Sequence, residues 1–209
     1  MKGIKNMDAI QVASLTGVGA QVLATVLQTY VTFKKSNVEK YFEQLIQEGK
    51  DLKVFGERDD LQRYLFTIVD KVSIEANIEK IEKWKNATIH LALDFKDFEF
   101  KDNFLSTLES LTVFDLTVLH KIYSTDFKKE HFESELIEFF NKKSVMEEII
   151  MQSLKHLSSQ YLITEKVDGT GFLGDAENDE PNLQTIYYVK NQMGPEFLRF
   201  IDNNIIEKT

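Results

Sequence analysis

The chain has 209 residues, and its 43% hydrophobic content with sixteen phenylalanines is enough to bury a sizeable core. The absence of cysteine excludes a disulfide framework, a thiol nucleophile and a thiolate metal site, and we expect a cytoplasmic protein. A net charge of −9 argues against a nucleic-acid partner, because phosphate binding needs a cationic surface. Two prolines and nine glycines predict a mainly helical fold.

The first predicted helix lies in residues 9–33, AIQVASLTGVGAQVLATVLQTYVTF, which contain no charged side chain. Polar residues recur every seven positions from this segment onward, at Ser14, Gln21, Gln28 and Lys35. A solvated helix face normally carries Lys and Glu, so this neutral polar face indicates contact with more protein. We expect Gln21 and Gln28 to be hydrogen-bonded there, and an apolar side to be buried: Val22, Val26, Tyr30 and Phe33.

Two other interpretations of residues 9–33 stay open. The segment is long enough to span a bilayer, which would make the protein a membrane-acting effector, although three glutamines lower its hydropathy. Alternatively, TGVG forms a functional loop. As helix residues, Gly17 and Gly19 would each cost about 1 kcal/mol relative to alanine. No compact apolar core with a cleavage site follows MKGIKNMD, so we expect no signal peptide.

Further amphipathic helices are predicted before residue 102. SNVEKYFEQLIQEGK predicts a charged helix that ends near Gly49, and apolar spacing predicts helices over ERDDLQRYLFTIVDKV and IEANIEKIEKWKNATIHLALDF. KDFEFKDNF interrupts this pattern, so we place the domain boundary between residues 102 and 103. No Pro or Gly linker is present, so we expect the two parts to pack together.

Residues 103–209 are predicted to form three helices, a β-hairpin and a closing helix. Thr112 with Asp115, and Ser144 with Glu147, have the spacing of capping boxes. YLITEKV and LQTIYYVK predict the two strands, and Pro195 suits the first turn of the closing helix. This order is typical of a winged helix. The predicted fold is therefore mainly α, an N-terminal helical region packed on a C-terminal winged-helix-like domain with a β-hairpin.

Three segments carry a family resemblance: FLSTLESLTVFDLTVLHKIY, SLKHLSSQYLI and MGPEFLRFI. They resemble the C-terminal winged-helix-like region of uncharacterised bacterial and phage-associated proteins, including abortive-infection alpha-type proteins. The resemblance covers about residues 103–205 and is one of apolar pattern. It implies a helical region before a winged helix and a role around mobile elements or phage defence, and it carries over no active-site residue.

The predicted third helix of this domain, residues 144–159, is a poor DNA reader. Lys155 and His156 are set against Glu147 and Glu148, whereas base recognition in the major groove uses Arg, Lys, Asn or Gln. The hairpin tip would repel a duplex with five carboxylates: Asp168, Asp175, Glu177, Asp179 and Glu180. Lys142 and Lys143 are the best case for the alternative of a DNA-binding winged-helix regulator.

Several patterns resemble chemical sites and are interpreted as structural. GTGFLG has dinucleotide-loop spacing at Gly169, Gly171 and Gly174, but DAENDEP follows it in place of a helix. Asp175, Glu177 and Asp179 stand where a calcium loop has its first ligands, but Glu180 replaces the glycine and Ile186 the last carboxylate. The histidines lack paired ligand spacing: we expect His90 and His120 to be partly buried and His131 to lie on the surface.

These observations predict no catalytic residue, cofactor or metal. We expect a non-enzymatic protein-interaction or regulatory protein whose partner is another protein or a second copy of the chain. The candidate contact residues are two amides of the first helix and four acids of the hairpin tip: Gln21, Gln28, Asp175, Glu177, Asp179 and Glu180.

Overall fold

The computed structural model describes residues 18–48, 54–93, 101–168 and 185–202; within these ranges, the side chains of 18–27, 29, 30, 56 and 185 are not described. The described chain is mainly helical with a small two-stranded antiparallel sheet, which confirms the coarse prediction. Two compact units form, unit 1 at Met1–Ala92 and unit 2 at Leu93–Thr209. The division lies ten residues before the predicted boundary.

Unit 1 consists of helices that bury a shared apolar core. They are α1 (Val18–Gln47), α2 (Val54–Glu57), α3 (Asp59–Ile74) and α4 (Ile78–Leu93). Helix α1 is continuous where two helices were predicted, because FKKS at its middle contains no Pro or Gly to end it. The core is formed by residues at three- and four-residue spacing: Tyr41, Leu45, Leu61, Ile68, Val72, Ile81 and Trp84.

Hydrogen bonds in unit 1 join α1 to α4 and to the residue that follows α3. The hydroxyls of Tyr41 and Thr88 lie 2.6 Å apart, and the Asn37 amide donates to the carbonyl oxygen of Glu75 at 2.7 Å. Because Glu75 directly follows α3, the part of α1 before Asn37 extends past the end of that helix. Every residue of α4 from Trp84 to Leu91 is buried, so this helix is covered on all its sides for two turns.

The prediction that Phe33 is buried is wrong. Its side chain is 40% exposed, and Val31 is 55% exposed, because both precede Asn37 on the projecting part of α1. Gln28 is also exposed, and its backbone carbonyl oxygen accepts a hydrogen bond from the Thr32 hydroxyl one turn later, at 2.8 Å. The side chains of four other predicted residues lie outside the described part: Gln21, Val22, Val26 and Tyr30.

Unit 2 contains helices and the sheet. The helices are α5 (Lys101–Ser110), α6 (Val113–Ser124), α7 (Glu133–Asn141), α8 (Glu147–Ser159) and α9 (Met193–Ile201), and the strands are β1 (Ile163–Asp168) and β2 (Thr185–Lys190). The strands pair antiparallel, from Ile163 opposite Lys190 to Asp168 opposite Thr185. A single bridge between Glu130 and Val189 adds the segment before α7 to the other edge of β2.

One of the two predicted capping boxes is confirmed. Thr112 caps α6: its hydroxyl accepts the Asp115 N–H, and the Asp115 carboxylate accepts the Thr112 N–H. The Ser144 prediction is wrong, because α8 begins after Met146 without a side-chain cap. Ser144 instead has φ 60° and donates its N–H to the carbonyl oxygen of Asn141, so it completes the turn that ends α7.

Tyr123 ties the closing helix to the rest of unit 2. Its hydroxyl donates to the Leu162 carbonyl oxygen at 2.8 Å and accepts the Asn191 N–H at 3.1 Å, and burial raises the pKa of Tyr123 to about 12. The side-chain oxygen of Asn191 accepts the N–H groups of Met193 and Gly194, which caps α9. Gly194 lies so close that a Cβ there would overlap the Tyr123 ring.

Candidate functional site

A groove between α6 and α8 in unit 2 combines a cavity with oriented polar groups. Its volume is about 450 Å³, within the range of roughly 300–1,000 Å³ that is usual for small-molecule sites. The start of α6 forms one wall and one face of α8 forms the other. The lining residues are Thr112, Phe114, Asp115, Ile149, Gln152, Ser153 and His156.

Asp115 forms the floor of the groove and is only 4% exposed. Its carboxylate accepts bonds from Ser153 Oγ at 2.6 Å, Thr112 Oγ1 at 2.7 Å, the Thr112 N–H at 2.8 Å and His156 Nδ1 at 3.0 Å. Burial raises the pKa of Asp115, but the hydrogen bonds from Ser153, Thr112 and His156 lower it by a larger amount. The pKa therefore lies below its ordinary value. The groove therefore holds a buried negative charge.

His156 is oriented by that carboxylate. An ionised carboxylate only accepts hydrogen bonds, so Nδ1, which lies 3.0 Å from Asp115, carries a proton. When the ring is neutral, its lone pair is therefore at Nε2, on the side away from Asp115. One third of the His156 side chain is exposed at the groove. The site thus offers a hydrogen-bond acceptor in a fixed orientation.

The Asp, His and Ser residues of this site are not arranged as a nucleophile with its base. Ser153 donates its hydroxyl hydrogen to Asp115, whereas nucleophilic catalysis needs a hydroxyl bonded to the imidazole that removes its proton. Ser153 and His156, both on α8, instead donate hydrogen bonds to the same carboxylate on α6. In the described ranges no group of three or more His, Cys, Asp or Glu could hold a metal ion. The arrangement is suited to binding.

Most of the contact residues predicted from the sequence have side chains outside the part of the chain that the structure describes. Gln28 is exposed on α1 in unit 1. The four acids Asp175, Glu177, Asp179 and Glu180 lie outside the described residues, as do the predicted turn glycines Gly169, Gly171 and Gly174. Gln21 is described only by its backbone. Gln28 is not among the residues that line the groove.

The predicted burial of the histidines agrees with the structure at some positions and differs at others. His131 is exposed, as predicted, and His90 is buried at 1% exposure, more completely than the partial burial predicted. His120 is exposed, so its predicted partial burial is wrong. His156 was considered only as a contact to DNA. The sequence signal for its role was the i, i+3 spacing of Ser153 and His156, which places both on one face of α8.

Comparisons with protein-family models, curated proteins and solved structures find no significant match to the chain. The resemblance to abortive-infection alpha-type proteins therefore stays a prediction. None of the helices in the described ranges combines the length and the hydropathy that crossing a membrane requires.

Proposed function

We propose that the chain is a non-enzymatic interaction protein whose unit 2 is a winged-helix-like domain that contacts another protein. The order of elements supports the winged helix: α6, a bridged segment, α7, α8, β1 and β2 follow one another as helix, single β-bridge, two helices and hairpin. The bridged segment bonds β2 on both sides of Glu130. Lys190 donates its N–H to the Lys129 carbonyl at 2.9 Å, and His131 donates its own to Tyr188 at 3.2 Å.

The observation that carries the proposal is an apolar pair on the hairpin. Val167 and Ile186 are directly opposite across the two strands and are 51% and 46% exposed. They share a face with Ile163 and Tyr188, which are buried at 1% and 0% exposure. Glu165 also lies on this face, and beyond it the described part of the hairpin ends in the exposed apolar pair, which we interpret as a protein contact.

The cations of unit 2 favour a protein partner over DNA, because several are engaged within the unit. Lys142 bonds Glu138 at 2.9 Å, and the ammonium groups of Lys121 and Lys143 lie 3.7 and 4.6 Å from the Phe139 ring centroid. Lys190 donates to carbonyl oxygens that precede α7. The start of α8 exposes Glu147 and Glu148. These contacts oppose phosphate binding, which needs available cations.

Site-specific photo-crosslinking tests the proposed protein contact. A photoreactive residue at Ile186 is expected to give discrete protein adducts in the native cell. The matched control is Lys166, which lies on the same hairpin but on its opposite face. Adducts at Ile186 that disappear with Val167→Asp support the contact; equal adducts at both positions, or none, refute it. Gel shifts at about 150 mM salt should show no duplex binding, and sub-micromolar binding would favour the DNA alternative.

A second contact, between copies of the chain, is favoured by the exposed apolar residues of α1. Val31 is 55%, Phe42 37% and Ile46 72% exposed, and Val31 and Phe42 lie close to one helical line. Light scattering on the full chain tests this self-association: Ile46→Lys should lower the mass, whereas Gln47→Lys, one position later, should not. A chain that is monomeric at high concentration contradicts it. Retention in the membrane pellet after a carbonate wash would support the membrane alternative.

A further inference from the structure

The α6–α8 groove has the shape of a small-ligand site and is separate from the proposed hairpin contact. Ile149, on one wall, is 40% exposed, and His156 is one third exposed, so a ligand can reach both from solvent. Across the groove, Phe114 packs against Phe140 with ring centroids 5.5 Å apart and an interplanar angle of 60°. This edge-to-face contact holds the Phe114 ring in place as an aromatic wall.

The polar groups of the groove select for a hydrogen-bond donor. The Nδ1 proton of His156 is used by Asp115, so the neutral ring presents Nε2 as an acceptor. Gln152, four residues before His156 on α8, adds an exposed amide.

The electrostatics of the groove select for positive charge in that donor. Asp115 places a negative charge at the floor of the groove. Of the described residues that line the cavity, none is Lys or Arg. Lys155 lies on the same helix but is not a lining residue. A cation is therefore attracted, and an anion is repelled.

We propose that this groove binds a small organic amine that carries an aromatic ring. The ammonium group donates to Nε2 of His156 and lies near the Asp115 carboxylate, and the ring packs between Phe114 and Ile149. The assignment does not depend on the function proposed above, because the hairpin pair takes no part in it.

Titration of the labelled full-length chain with three indole compounds tests the charge preference. Tryptamine carries the ammonium group, tryptophol replaces it with a neutral hydroxyl, and indole-3-acetate replaces it with a carboxylate. We expect tryptamine to give saturable NMR shifts at Ile149 and His156 with a Kd of about 1 mM, and tryptophol to bind about tenfold more weakly. The proposal is overturned if indole-3-acetate binds as tightly as tryptamine, or if tryptamine causes no saturable shift.

Two variants test the residues. His156→Gln keeps an N–H donor for Asp115 but removes the ring acceptor, and it should raise the Kd for tryptamine about tenfold. Lys155→Gln, at the neighbouring exposed position, is the matched control and should leave the Kd within about twofold. Ile149→Ser provides an independent readout on the apolar wall and should also weaken binding. The assignment would be overturned if the two test variants and the control all bound tryptamine as tightly as the wild type does.

Discussion

Three hydrogen bonds between distant residues of unit 1 stand apart from one another, whereas in unit 2 four hydrogen bonds meet at one carboxylate. The Tyr41–Thr88, Asn37–Glu75 and Lys85–Glu48 contacts of unit 1 share no atom. Asp115 in unit 2 accepts from two residues of α8 and from both the hydroxyl and the N–H of its own cap. Removing one side chain from a unit 1 contact should therefore break a single hydrogen bond between distant residues. Removing the Asp115 carboxylate from unit 2 should break all four hydrogen bonds of the junction.

The largest expected effect comes from Asp115→Leu. This change removes the carboxylate half of the α6 capping box and leaves the Thr112 and Ser153 donors without their acceptor, so we expect a loss of about 3–5 kcal/mol in the free energy of unfolding. Hydrogen exchange of peptides from α6 and α8, measured with mass spectrometry, follows the loss within unit 2. Asp102→Leu, at an exposed position of α5, is the control. A loss below about 1 kcal/mol would show that the junction is not cooperative.

Gly194→Ala should have the next largest effect, about 1–3 kcal/mol, because the new Cβ overlaps the Tyr123 ring. Tyr123 is held by hydrogen bonds from α6 to β1 and α9, so its ring has little freedom to move. A double-mutant cycle with Tyr123→Leu checks the cause by denaturant unfolding. The two changes should cost less together than the sum of their separate effects, and strict additivity would contradict the overlap.

In unit 1, Tyr41→Phe should cost only about 0.5–1.5 kcal/mol, because one hydrogen bond to Thr88 is lost and the ring still fills the core. Trp84, the only tryptophan, lies buried in unit 1 and reports its unfolding by fluorescence. Phe66→Tyr, at a 63% exposed position on α3, serves as a control for the method. A loss as large as that of Asp115→Leu would remove the contrast between the two units.

The smallest effect is expected at Ser144. Its φ of 60° favours glycine, so Ser144→Gly should stabilise unit 2 by up to about 1 kcal/mol, measured by thermal unfolding. Lys155→Gly, at an exposed position inside α8, should instead destabilise it. A destabilising effect at Ser144 would restore the capping-box interpretation that the structure contradicts.

The sequence predicted features that depend on neighbouring residues. Apolar spacing indicated the helices, strand alternation indicated β1 and β2, and the spacing of Thr112 and Asp115 indicated their cap. The Ser144 box had the same spacing but failed, because the turn after α7 requires a positive φ there. Local pattern does not distinguish these two outcomes.

The groove could not be predicted in the same way. Its central contacts join Asp115 to Ser153 and His156, which lie 38 and 41 residues further along the chain. Only the packing of α6 on α8 brings them together. The sequence therefore indicated Asp115 as a cap and His156 only as part of a helix that could face DNA, and tertiary structure gave each a second role.

The acid response of unit 2 should also reflect Asp115. Because hydrogen bonds hold its folded pKa below the ordinary 3.8, the carboxylate stabilises the fold above that value, and this contribution is lost as the pH falls through the folded pKa. The stability difference between the wild type and Asp115→Asn should therefore shrink below about pH 4. A difference that stays constant down to pH 2 would mean that folding does not lower the pKa of Asp115.

Nitrogen NMR of the His156 ring tests the Asp115 junction most directly. At a pH where the ring is neutral, long-range proton–nitrogen spectra distinguish a proton on Nδ1 from a proton on Nε2. The contact with Asp115 predicts the Nδ1–H tautomer, and Asp115→Asn should allow the other form to appear. A wild-type ring that carries its proton on Nε2 would contradict the account, because Asp115 would then not orient His156 and the groove would present no acceptor.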